Sequence, residues 1–135
     1  MRAGLMAGIV AVAAIASGAP AAADGPALYT PAQAEEGAYL FTHKCAECHG
    51  SLLEGLSAPP LKGPDFRRRA AARFLNVQSF LTFISLYMPR YAPASLTPVE
   101  YGDIAAFILQ QNGYPAGASE LSAATPNLKD VRIDP

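Results

Sequence analysis

Apolar residues recur at helical spacing in three stretches of the chain, and no stretch alternates in a way that predicts a strand. The residues that share a face in each stretch are Ala34, Gly37, Ala38 and Phe41; Val77, Phe80, Leu81 and Ile84; and Tyr101, Ile104, Ala105 and Ile108, with Phe107 beside them. The pattern predicts an all-α fold of three to four helices.

Capping residues support the same helices. The predicted caps are Thr30 with Gln33 as a capping box, Asn76, Thr97 with Glu100 as a second capping box, and the stop Asn112-Gly113. Gly37 lies inside the first helical face, where glycine costs stability relative to alanine. We therefore expect another backbone to approach Gly37 closely.

Between and after these helices the sequence is rich in helix breakers. Residues 51–66 contain three prolines and two glycines and predict an ordered loop. Arg67–Arg69 and Arg73 follow as a basic cluster before the helix at 77. Residues 114–135 are rich in Ala and Pro and have little periodicity, which predicts an irregular tail that runs over the surface.

The first 23 residues have the features of an export signal. Arg2 supplies a positive charge, residues 3–16 carry no charge, and Ala21-Ala22-Ala23 fits a cleavage site. The apolar run is shorter than the roughly 20 residues that span a bilayer, although an uncleaved anchor is the alternative. We expect a periplasmic protein with a domain at 24–117 and a tail at 118–135.

Charge and cysteine content narrow the function. A net charge of −1 argues against a nucleic-acid partner. The two cysteines, Cys45 and Cys48, would meet an oxidising compartment. A disulfide between them would close a very small loop and remove little chain entropy, so a purely structural bridge explains the pair poorly.

The stretch C-A-E-C-H at 45–49 is the attachment signature of c-type haem. Cys45 and Cys48 would form thioethers to one edge of the porphyrin, and His49 would bind the iron. Two alternatives stay open. A redox dithiol needs C-x-x-C but usually lies on a βαβ scaffold, and zinc could draw on His43 as well, although four ligands within seven residues are unusual for zinc.

Met88 is the candidate ligand on the opposite side of the iron, because it is the one methionine outside the signal. A thioether is a soft ligand, and Met/His ligation raises the reduction potential. The ligating imidazole needs an acceptor for its other N–H, which the carbonyl of Pro59 or Pro60 can supply. Phe80 and Ile84 are expected to keep the porphyrin dry.

From Pro31 to Gly117 the chain resembles the small class I-type cytochromes c. The resemblance rests on "CAECHG", "GLSAPPLKGPDF", "MPRYAPASL" and "EYGDIAAFILQQNGYPAG". It implies helices around one covalently attached haem c. It also implies a close crossing of the first and last helices, at Gly37 and Phe41 on one and Ile104 and Phe107 on the other. Ala58 and Ala94 stand where the family often has glycine.

The resemblance implies one-electron transfer by a monomer that docks briefly with a redox donor and acceptor. The last two motifs are similar to cytochromes that accompany quinoprotein dehydrogenases, so such a dehydrogenase is an expected donor, and a terminal oxidase or another cytochrome an expected acceptor. Arg67–Arg69, Arg73 and Arg90 are candidate docking or haem-propionate residues. The alternatives are a haem enzyme or gas- or peroxide-binding protein with an open iron site, and a zinc or dithiol module.

Overall fold

The computed structural model describes residues 26–74 and 76–133, and the expected export signal lies outside them. Within these ranges the fold is all-α, as predicted, with only two isolated β-bridges. The helices are α1 (Pro31–Lys44), α2 (Ala46–His49), α3 (Gly63–Arg73), α4 (Val77–Tyr87), α5 (Pro98–Gln111) and a 3-10 helix (Leu128–Asp130).

The described helices outnumber the predicted three to four because α2 is a single turn and α3 begins inside the predicted loop. Pro64 is compatible with the first turn of α3, where the missing N–H has no intrahelical partner to lose. The prediction of an ordered loop to residue 66 is therefore wrong at its end. Arg67–Arg69 and Arg73 lie on α3 itself rather than in a turn.

The crossing of α1 and α5 is the largest contact between helices in the described chain. A Cβ on Gly37 would lie 1.8 Å from the backbone oxygen of Asp103, so only glycine fits there. The rings of Phe41 and Phe107 contact each other in a tilted arrangement beside the crossing, with centroids 5.4 Å apart. The predicted close approach at Gly37 is confirmed.

One predicted cap is wrong in an informative way. Thr30 accepts the expected hydrogen bond from the Gln33 N–H at 3.1 Å. The Gln33 side chain, however, does not complete a capping box, because it binds both backbone groups of Leu121 at 2.9 and 2.7 Å. The capping box of Thr97 and Glu100 on α5 and the cap at Asn76 are present as predicted.

The tail after Gly117 is irregular apart from its 3-10 turn, but it does more than run over the surface. Leu121, Leu128 and Ile133 are all buried in the core. A Cβ on Gly102 would lie 2.5 Å from the Leu121 oxygen, so Gly102 makes room for the tail backbone. Gly37 and Gly102 thus each allow another backbone to approach closely in the region of Asp103.

Asp103, which follows Gly102 in the chain, carries a buried carboxyl group. Burial raises its pKa above the usual value, the hydrogen bond from Gln33 opposes that shift, and the carboxylates of Glu120, Glu36 and Glu100 add to it. The ionised form of Asp103 therefore destabilises the folded state.

We expect Gly37→Ala to lower the free energy of unfolding by about 1–3 kcal/mol or more, because the methyl group overlaps fixed backbone. Alanine gains only about 1 kcal/mol in helix propensity, which does not offset the overlap. Chemical denaturation of the two proteins measures the difference. Glu35→Ala, at an exposed site on the same helix, is the control and should leave stability almost unchanged.

We expect Asp103→Asn to be more stable than the parent protein at neutral pH, with the difference vanishing in acid. A raised folded-state pKa means that the stability linked to this group is fully present below the unfolded pKa and is lost as pH rises through the folded pKa. Melting temperatures from pH 3 to 8 test this. A difference independent of pH would show that ionisation of Asp103 is not responsible.

Candidate functional site

The cysteine motif occupies the single turn that follows α1. The Cys45 N–H ends α1 by donating to Phe41, and the His49 N–H donates to the Cys45 carbonyl at 2.9 Å. Residues three and four apart share a helix face. Cys45, Cys48 and His49 therefore lie on one side of this turn, and Gly50, with φ of 82°, lets the chain leave it.

Backbone hydrogen bonds fold the following loop back over this turn. The N–H groups of Leu56 and Ala58 both donate to the Cys48 carbonyl, at 3.1 and 3.0 Å. The Gly55 N–H donates to the His49 carbonyl at 2.7 Å. These contacts bring Pro59 against the imidazole, although the two residues are ten positions apart.

The imidazole of His49 is held in one tautomer. Its Nδ1 lies 2.7 Å from the Pro59 carbonyl oxygen, which can only accept, so Nδ1 carries the proton. Burial lowers the pKa of His49, the bond to Pro59 opposes this, and the charge of Arg69 lowers the pKa further. At neutral pH the ring is uncharged and Nε2 keeps its lone pair for a metal ion.

The Cys45 thiol is poorly suited to redox exchange. The two sulfur atoms are not bonded to each other. Burial, and secondarily the neighbouring Cys48, raise the pKa of the Cys45 thiol to about 11. A dithiol redox centre needs a lowered thiol pKa, because the thiolate is the nucleophile. This argues against Cys45 as the nucleophile of a redox dithiol.

The structure does not favour His43 as a fourth zinc ligand beside Cys45, Cys48 and His49. His43 lies on an exposed part of α1, where its Nδ1 is 2.8 Å from the Tyr39 carbonyl and its ring stacks on Tyr39. Among the described residues, no three His, Cys, Asp or Glu side chains are grouped so that they could hold a metal ion. A closed structural zinc site needs four ligands.

The other candidate residues follow one another along α4. Phe80, Ile84 and Met88 are spaced by four, and Met88 is the C-cap, its N–H donating to the Ile84 carbonyl at 3.0 Å. Phe80 packs against the rings of Phe66 and Phe74. Ile84 lies in the hydrophobic core, and Cys45 and Met88 are partly buried against that core.

Sequence patterns missed two residues that shape this region. Asn112, predicted only as a helix stop, also donates to the Leu61 carbonyl at 2.9 Å and accepts from the Gly63 N–H at 3.0 Å, which ties the loop to α5. Tyr101, predicted only as part of a buried face, donates to the Met88 carbonyl at 2.6 Å. Neither contact has a local sequence signal, because each partner lies 13 or more positions away.

An all-α fold that presents C-x-x-C-H on one turn, with the histidine oriented by a carbonyl, is the arrangement of a c-type cytochrome domain. The model of the family described as "Cytochrome C oxidase, cbb3-type, subunit III" matches residues 32–108. That span covers more than half of the 135 residues. The chain belongs to this family, whose domains transfer electrons by means of a c-type haem. No curated protein matches the chain.

The residues present fit a haem. The two free thiols and the unprotonated Nε2 are the donors that covalent attachment and iron ligation require. Arg67 on α3 has a buried Nε with no hydrogen-bond partner, which suits an anionic group such as a propionate.

No helix among the described residues is long and apolar enough to cross a membrane.

Ala58 and Ala94, which stand where the resemblance implied glycine, differ in their backbone conformation. Ala94, in the loop after Met88, has φ of 55°, whereas Ala58 is not among the residues with positive φ. A left-handed conformation costs a non-glycine residue about 1–2 kcal/mol. The loop before Pro59 thus does without glycine, and the loop after Met88 keeps a strained alanine.

We expect Ala94→Gly to stabilise the protein by roughly 0.5–1 kcal/mol, because relief of strain exceeds the added entropy of the unfolded chain, about 0.4–1 kcal/mol. Ala58→Gly is the matched control and should destabilise by that entropy alone. Thermal unfolding of both variants tests the pair. Equal effects at the two sites would contradict the assignment of strain to Ala94.

Proposed function

We propose that this chain is a periplasmic one-electron carrier with a single haem c joined to Cys45 and Cys48 and ligated by His49 and Met88. The observation that carries the proposal is the hydrogen bond from His49 Nδ1 to the Pro59 carbonyl. It fixes the ring and leaves Nε2 for iron, which is the usual arrangement of a ligating histidine. Met88, partly buried against the hydrophobic core, is the proposed second ligand.

When bound, the haem supplies a one-electron couple. The chain's own residues determine how that couple behaves. Pro59 orients His49, and a thioether ligand from Met88 favours the reduced state and raises the potential. Phe80 and Ile84, both buried, exclude water from the crevice, which also tunes the potential. With both axial positions filled from the chain, the site favours electron transfer over substrate binding.

Partners are proposed by their chemistry. Electron donors and acceptors dock briefly, and complementary charge mainly sets the rate of such encounters. Arg90 is exposed two positions after Met88, and we propose that it influences docking on the Met88 side of the site. Sequence similarity alone suggests the identity of the partners. The proposed donor is a quinoprotein dehydrogenase, with the chain either as its cytochrome subunit or as a free monomer that accepts its electrons. The proposed acceptor is a terminal oxidase or another cytochrome.

The first experiment is an absorption spectrum of the protein exported in a host that matures c-type cytochromes. We expect a sharp reduced α-band that stays with the acid-denatured chain, and a weak band at the red end of the oxidised spectrum from methionine ligation. Cys45→Ser with Cys48→Ser should abolish covalent haem. Covalent haem without the red band would favour an enzyme or gas-binding protein with an open site, and colourless protein would refute a haem function.

We expect Met88→Ala to keep the covalent haem, lose the red band, and lower the reduction potential. The variant should also bind cyanide far more tightly when oxidised, because no internal ligand competes. Spectroscopic titration of both proteins measures this. Leu86→Ala, at an exposed site on the last turn of α4, is the control and should change neither property. Parental cyanide affinity in Met88→Ala would contradict ligation by Met88.

We expect Arg90→Glu to change the rate of electron exchange with a charged redox partner and to alter its dependence on ionic strength. Lys129→Glu is the control, because it changes the net charge equally but lies on the tail. Stopped-flow mixing with a small cytochrome or a charged metal complex measures the rates. If the two variants behave alike, only net charge matters and Arg90 has no local role.

A further inference from the structure

One buried hydroxyl joins the two ends of the loop that contains Met88. The Tyr101 hydroxyl donates a hydrogen bond to the Met88 carbonyl at 2.6 Å and accepts one from the Leu96 N–H at 3.4 Å. Its side chain is 4% exposed. Residues 88 and 96 bound the loop, so a single oxygen ties both of its ends to α5.

The backbone of Met88 is thereby fully hydrogen-bonded from two helices. Its N–H donates to the Ile84 carbonyl of α4 at 3.0 Å, and its carbonyl accepts from Tyr101 of α5. Buried backbone groups in native proteins almost always have partners. Among the described residues, the hydrogen bond from the Tyr101 hydroxyl fixes the Met88 carbonyl relative to α5.

Tyr101 is itself held firmly. The Thr97–Glu100 capping box fixes the first turn of α5, and the Tyr101 N–H donates to the Thr97 carbonyl at 3.1 Å. Because the ring is buried and its backbone is anchored at a well-capped helix start, the hydroxyl has little freedom. It is therefore a rigid reference point for the loop.

We propose that Tyr101 is a positioning residue for the distal iron ligand, holding Met88 so that its thioether stays on the iron. This inference rests on the proposed His/Met ligation. A neutral thioether has no charge to attract it to the iron, so its occupancy depends on how well the protein presents it. Loss of the hydroxyl should allow the loop to move away and external ligands to replace Met88.

The test compares holoprotein carrying Tyr101→Phe with the parent. Oxidised protein is titrated with imidazole and with cyanide, and the red-end band is followed. Tyr101→Phe removes both bonds of the hydroxyl, and the shorter one, to the Met88 carbonyl, alone corresponds to roughly a two- to tenfold gain in apparent affinity for either competitor. The band should also weaken in Tyr101→Phe before any competitor is added.

Tyr29→Phe is the matched control. Its hydroxyl donates to the Tyr114 carbonyl at 2.5 Å, and Tyr29 is 1% exposed, so the substitution removes a comparable buried bond away from the Met88 loop. It should lower thermal stability without changing competitor affinity. Equal affinity gains in both variants would show a general loosening of the fold and overturn the inference.

The two levels of the proposal fail differently. A parent spectrum without the red band would remove His/Met ligation, and the role of Tyr101 with it, before any variant is compared. A parent with the band, together with parental affinity for imidazole and cyanide in Tyr101→Phe, would leave the proposed function intact and refute the positioning role alone.

Discussion

The structure depends on the contact of two helix backbones at Gly37 and Asp103. With 1.8 Å between a hypothetical Cβ and the Asp103 oxygen, the crossing tolerates no side chain at Gly37. This contact sets the distance between α1, which leads into the cysteine turn, and α5, whose Tyr101 holds the Met88 loop. A shift at the crossing would therefore move the two candidate iron ligands relative to each other.

Polar groups near the site are arranged so that each fixes one feature of it. The Pro59 carbonyl selects the tautomer of His49, and Asn112 ties the adjoining loop to the end of α5. The Tyr101 hydroxyl completes the backbone bonding of Met88. Arg67 differs, because its buried Nε has no hydrogen-bond partner among the described residues, and a bound anionic group would supply one.

The sequence predicted features whose causes are local. Helix faces, the caps at Asn76 and Thr97, and the need for glycine at position 37 follow from spacing and residue type. The hydrogen-bond acceptor of His49 could be predicted, because proline has no N–H and the backbone of Pro59 or Pro60 can therefore only accept. The cysteine motif carries its chemistry within five residues.

What the sequence did not predict depends on partners far away in the chain. Gln33 follows a cap in a way that is typical of a capping box, yet its amide binds Leu121, which is 88 positions away. Pro64 was a helix breaker by composition but lies in the first turn of α3. No sequence pattern predicts the left-handed φ of Ala94, because alanine rarely adopts that conformation.

The contact between the tail and α4 has a mechanical consequence. The Val77 N–H donates to the Val131 carbonyl at 2.9 Å, so the tail supplies a partner for the free N-terminal end of α4. The same helix ends at Met88, about 16 Å away for 11 residues. A force applied to the tail would be transmitted along α4 to the loop that carries the sulfur atom. Any attachment of the tail to a larger assembly would thus act on Met88, the proposed second ligand of the iron.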